Sequence, residues 1–85
     1  KNPEVVVQGN ELHFTVEAVE NIASVVFTFN GETFNMTAES TFGETNKVHY
    51  KVNMVEGMNY LKIVARTKSG GDNTSLWKYE YKPTN

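Results

Sequence analysis

Apolar and polar residues alternate with a period of two along most of this chain. Between Glu11 and Ala18, Leu12, Phe14, Val16 and Ala18 fall on one side and Glu11, His13, Thr15 and Glu17 on the other, the spacing of a half-buried β-strand. From Lys47 to Met54, Val48, Tyr50, Val52 and Met54 point inward and Lys47, His49, Lys51 and Asn53 outward. The same pattern predicts strands over Val5–Gln8, Ser24–Phe29, Thr33–Ala38, Tyr60–Thr67 and Ser75–Tyr81. Gly9-Asn10 and Asn30-Gly31 are two-residue hairpin signals, because both positions of such a turn favour positive φ. Glu39–Asn46 is expected to be the longest loop, Glu56–Asn59 to reverse the chain, and Ser69–Asn73 to be a flexible connection. Apolar spacing of three and four residues is sustained nowhere for three turns, and Asn21 with its β-branched neighbours weakens the one helical alternative, Val16–Val26. The expected fold is an all-β antiparallel sandwich of about seven strands.

A thin core needs large rings, and the alternation supplies them on single strand faces: Phe14, Phe27, Phe29, Phe34 and Tyr50, joined by Leu61, Ile63 and the row Trp77, Tyr79, Tyr81. The Trp77 row is tempting as a sugar-stacking platform, but its place on one strand face assigns it to the core. Phe42, in the long loop, and Tyr60, on the polar side of its strand, have no core position under this assignment. They are the candidate ligand-binding residues.

At 85 residues the chain is one domain near the lower limit of independent folding. The domain is assigned to residues 1–82, with 83–85 as a polar linker or tail. A net charge of −2 with scattered Lys and Arg gives no basic stripe for phosphates, so nucleic acid is not an expected partner. No apolar run approaches the roughly 20 residues of a membrane helix, so no membrane insertion is expected. The start at Lys1 without Met, and the Pro-containing tail Lys82–Asn85, lead to the expectation of one module of a longer protein. Extracellular sandwiches of vertebrate type often carry a disulfide, so the absence of Cys tilts the setting toward a bacterial exported or surface protein.

The stretch Glu56-Gly57-Met58-Asn59-Tyr60-Leu61-Lys62-Ile63-Val64-Ala65-Arg66-Thr67-Lys68-Ser69-Gly70 resembles the penultimate hairpin of bacterial Ig-like modules, with its glycine, asparagine, alternating aliphatics, alanine and glycine-closed turn. Ser24-Val25-Val26-Phe27-Thr28-Phe29-Asn30-Gly31-Glu32 is similar to the central hairpin of the same family. The resemblance implies an Ig-like or fibronectin-like sandwich serving as a tandem spacer, adhesion stalk or accessory domain. Without a Cys pair, and with Trp77 on the last strand, the chain departs from the disulfide-bearing Ig pattern.

Catalytic chemistry finds few residues to work with. His13 and His49 are the only neutral-pH bases, both on outward strand faces, and no glycine-flanked Ser motif or phosphate-cradling loop occurs; Gly70-Gly71 stands alone. No enzyme activity, cofactor or metal is expected. One exception is weighed: if His13 lies opposite His49 on neighbouring antiparallel strands, Glu11 meets Lys51, and the imidazoles come close enough to hold a transition metal weakly. Solvated polar residues are the favoured reading of that pair. Asp72 is the only aspartate, too little for a calcium loop. Lys47, Lys51, Lys62 and Lys78 alternate with core residues and should face solvent, away from any isopeptide crosslink. Asn35-Met36-Thr37 and Asn73-Thr74-Ser75 fit the glycosylation pattern and are read as incidental.

The expected function is a non-catalytic structural spacer in a larger bacterial exported or cell-surface protein. Its expected partners are neighbouring domains of the same chain, and a monomer is expected. The alternative is an accessory module binding carbohydrate or a cell-surface protein beside a catalytic domain.

Overall fold

The computed structural model describes residues 2–83; the expected tail residues Thr84 and Asn85 lie outside the described residues. The strands are β1 (Glu4–Gln8), β2 (Glu11–Glu17), β3 (Ile22–Phe29), β4 (Glu32–Thr37), β5 (Lys47–Asn53), β6 (Gly57–Thr67) and β7 (Asp72–Tyr81). Two antiparallel sheets, ordered β1-β2-β5 and β4-β3-β6-β7, pack face to face. The architecture is an all-β two-layer sandwich. Among the described residues no helix is long and apolar enough to cross a membrane.

The β3–β4 hairpin shows how local chemistry sets the register. Asn30 (φ 49) and Gly31 (φ 88) both take left-handed backbone, as a two-residue turn matched to strand twist requires. Phe29 then faces Glu32 and Phe27 faces Phe34. The inward faces of the two sheets meet through Leu12, Phe14 and Val16 of β2, Val48 of β5, Val25, Phe27 and Phe29 of β3, and Leu61 and Ile63 of β6. Phe14 meets Phe27 edge-on at 4.9 Å between ring centroids, and Phe34 stacks on Phe27 at 4.8 Å. Tyr50 tilts against both Phe14 and Phe27. Such offset and T-shaped contacts are the preferred arrangements of ring quadrupoles.

Three expectations are corrected. First, Trp77 and Tyr79 are not core residues: they are 40% and 41% exposed. Trp77 sits in the register row Phe29–Leu61–Trp77, on the side of the sheet that faces inward. A three-stranded sheet cannot cover a four-stranded one, so the row passes from buried Leu61 to an overhanging edge at β7. Tyr81, at the end of β7, is half-buried and packs against the core. Second, Glu56–Asn59 is not a turn. β6 already begins at Gly57, and Asn59 is 1% exposed within it. Third, the Glu39–Asn46 segment is not wholly loop. Residues Ala38–Phe42 form one π-helical turn, whose entry is capped by the Thr37 hydroxyl accepting from the Ser40 amide.

Buried Asn59 explains itself through its hydrogen bonds. Its Nδ2 donates to the carbonyls of Val55 (2.9 Å) and Gly57 (3.0 Å), and its Oδ1 accepts from the Val55 amide (2.9 Å) and from Asn30 Nδ2 (2.9 Å). Asn30 Oδ1 in turn accepts from the Tyr60 amide (2.8 Å). The two asparagines therefore tie the β3–β4 turn to the β5–β6 crossover. A buried amide with all its positions used satisfies the rule that interior polar groups are paired.

The chain runs along a body whose longest extent is 46 Å. Pro3, the connection after β2 and the β6–β7 turn share one end. The Gly9-Asn10 turn contacts the end of β5 at the other, where Tyr81 pairs with Gly57. The first strand thus enters at one end and the last leaves at the other.

Candidate functional site

Two surfaces carry chemistry. The first is the outer face of the four-stranded sheet. Because side chains alternate along strands, β6 sends Tyr60 and Lys62 outward while Leu61 and Ile63 enter the core. Register sets Tyr60 beside Lys78, and Lys62 between Thr28 and Leu76. These residues, with Gly31, line a shallow concavity of about 590 Å³. Tyr60 is 55% exposed and Leu76 76%. An aromatic face flanked by two ammonium groups and a hydroxyl can stack on the apolar side of a sugar ring and donate hydrogen bonds to its oxygens.

Of the two candidate ligand residues, Tyr60 is therefore displayed and Phe42 is not. The π-helical turn tips the Phe42 ring onto the core, half-buried, beside Met36, Val48 and Tyr50. The structure does not bring the two together. Lys47, Lys51, Lys62 and Lys78 are all exposed. Trp77 and Tyr79 were missed as surface residues, since their alternation looks like that of a covered strand. The readable signal is the chain order of strands, which leaves the last one at an edge.

The second surface is the outer face of β2 and β5. His13 lies opposite Lys51, and His49 opposite Thr15. The expected pairings His13–His49 and Glu11–Lys51 both form, but along diagonals of the ladder. His13 Nδ1 and His49 Nε2 are 3.1 Å apart, His13 Nε2 is 3.0 Å from Glu11 Oε1, Thr15 Oγ1 is 3.0 Å from His49 Nδ1, and Lys51 Nζ is 3.2 Å from Glu11 Oε2. Glu11 can only accept, so His13 donates from Nε2; with both rings neutral, its Nδ1 accepts. His49 then donates from Nε2, and the Thr15 hydroxyl donates to its Nδ1. The hydrogen bond from His13 and then the Lys51 ammonium hold the Glu11 carboxyl below the usual carboxylate range.

A hydroxyl, two imidazoles and a carboxylate in sequence suggest nucleophilic chemistry, but the setting opposes it. Thr15 sits on the central strand of its sheet and is paired on both sides, to Glu4 and His49. The ladders on both sides occupy the backbone amides that would otherwise stabilise an oxyanion. Among the described residues no group of three or more His, Cys, Asp or Glu is placed to hold a metal ion. No family model matches the chain, and neither a curated protein nor a solved structure matches it.

Proposed function

We propose that the domain is a non-catalytic spacer module of a larger exported or surface-attached bacterial protein, built as an Ig-like or fibronectin-like sandwich. The observation that carries this reading is the entry of the chain at one end of the 46 Å axis and its exit at the other. A body threaded in that way sets its neighbours apart by its own length. Strand order favours the fibronectin-like branch. In the constant-type Ig arrangement the fourth strand joins the sheet of the first, second and fifth; here β4 pairs with β3. The pairing of Thr15 to strands on both sides supports the non-catalytic part.

Two copies joined head to tail test it by small-angle scattering. The spacer reading expects a particle whose longest dimension is close to twice 46 Å. A folded-back pair, compact in its scattering, overturns it.

A second reading rests on Tyr60. Its exposure beside Lys62 and Lys78 favours an accessory module that binds carbohydrate on the four-stranded sheet. A glycan array on the parent and on Tyr60→Ala checks this. Signal lost in the variant supports the reading, and no signal, or equal signal in both, removes it.

A further inference from the structure

We propose that His13 and His49 form a two-imidazole binding site for a divalent transition metal of the zinc or copper class, a property separate from the spacer reading. The inference starts from a distance. Ligand nitrogens bonded at about 2.0–2.1 Å lie about 3.3 Å apart at a tetrahedral angle and about 2.9 Å apart at a right angle. His13 Nδ1 and His49 Nε2 are 3.1 Å apart, between the two. To take a metal, each ring turns about its Cβ–Cγ bond so that the nitrogens, which face one another across the hydrogen bond, aim at one point instead.

The groups behind the rings complete the case. A metal-bound imidazole almost always donates its other N–H to a carboxylate, carbonyl or similar acceptor, which fixes the tautomer and raises ligand basicity. His13 already does so through Nε2 to Glu11 at 3.0 Å. Lys51 takes the other carboxylate oxygen at 3.2 Å, holding Glu11 behind the ring as an acceptor. For His49 the partner is Thr15 Oγ1, 3.0 Å from Nδ1. When the metal takes His49 Nε2, the proton that bridged the rings leaves for solvent and one is taken up at Nδ1, which then donates to Thr15 Oγ1. The neutral pair releases no net proton, and every nitrogen of both rings is used.

Position adds rigidity. β2 is the central strand of its sheet, and the two histidines sit on adjacent antiparallel strands whose register is fixed over the whole of β2 and β5. Neither backbone has to move to close the site. His49 is exposed, so water completes the coordination. Imidazole nitrogens select zinc, copper or nickel over calcium and magnesium, which prefer oxygen.

The test uses the whole chain, labelled with nitrogen-15, titrated with zinc chloride and followed by ring ¹H–¹⁵N spectra. His13 Nδ1 and His49 Nε2 are expected to shift together, on one binding curve, saturating at one zinc per chain. Either His13→Asn or His49→Gln is expected to weaken binding by tenfold or more, and Glu11→Gln, through an uncharged and weaker acceptor, or Thr15→Val, through loss of one, by about tenfold. Melting curves without zinc establish that each variant folds; exposed His49 makes His49→Gln the safest of them. Rings that shift independently, rings unmoved at millimolar zinc, or a folded His49→Gln that binds within about twofold of the parent would overturn the site.

Discussion

Replacing Asn59 removes a side chain that no neighbour can imitate. In Asn59→Ala the Val55 amide and carbonyl, the Gly57 carbonyl and Asn30 Nδ2 all lose a partner. Val55 is 56% exposed, so water replaces part of what is lost there. Counting two groups that stay orphaned, at about 1.5 kcal/mol each, gives about 3 kcal/mol of lost stability. For a domain of this size that lowers the melting midpoint by about 12–24 °C. Asn59→Leu restores volume without polarity and should fall as far. Asn59→Asp keeps the acceptor role but turns a carboxylate toward the carbonyls of Val55 and Gly57; its loss should ease at acid pH, where the protonated group regains a donor. Urea melts read by circular dichroism measure all three, with an unchanged slope as evidence that the same surface unfolds. A double-mutant cycle with Asn30→Ala should return a coupling of about 0.5–3 kcal/mol. A midpoint within about 4 °C of the parent for Asn59→Ala would refute the reasoning, because the amide would then be replaceable by water.

Other outcomes follow from burial and charge. Phe14→Ala, at a fully buried position between Phe27 and Tyr50, should cost about 3–5 kcal/mol, whereas Trp77→Ala should cost only about 1–2, by thermal melting of both. Because the Glu11 pKa is lowered on folding, its contribution is present above the ordinary carboxylate range and is lost as pH falls through the folded value. Melts of the parent and Glu11→Gln across acid pH should therefore converge at the low end. Burial raises the Tyr50 pKa, against a smaller opposing effect of Thr41. Its contribution is present below the ordinary phenol value and is lost as pH rises through the folded one, so Tyr50→Phe should flatten the alkaline limb of a stability profile.

Individual elements show how far local pattern reaches. Period-two alternation over Glu11–Glu17 and Lys47–Asn53 gives strand, face and orientation at once, since one face must leave water. Asn30-Gly31 gives the register of β3 on β4 for a similar reason: left-handed backbone at both positions admits few residues. What the pattern lacks is the second layer. Trp77 alternates like a covered residue, and only the division into three strands against four exposes it. Asn59 looks like a turn residue in sequence, because its partners Asn30 and Val55 come from two other connections. Phe42 has no period to place it, and a single π-helical turn delivers it to the core. For the histidines, the choice of neighbouring strands was readable, but a slip of two residues in the ladder turned opposite positions into diagonal ones.

β7 is ten residues long and among the described residues pairs only with β6, so one flank of its backbone has no strand partner beside Leu76, Trp77 and Tyr79. Such a rail is a template on which a second chain can zip, and Lys78 and Glu80 are the charges that stand in the way. Neutralising those two residues should therefore promote edge-to-edge association, read by light scattering as particle size growing with concentration.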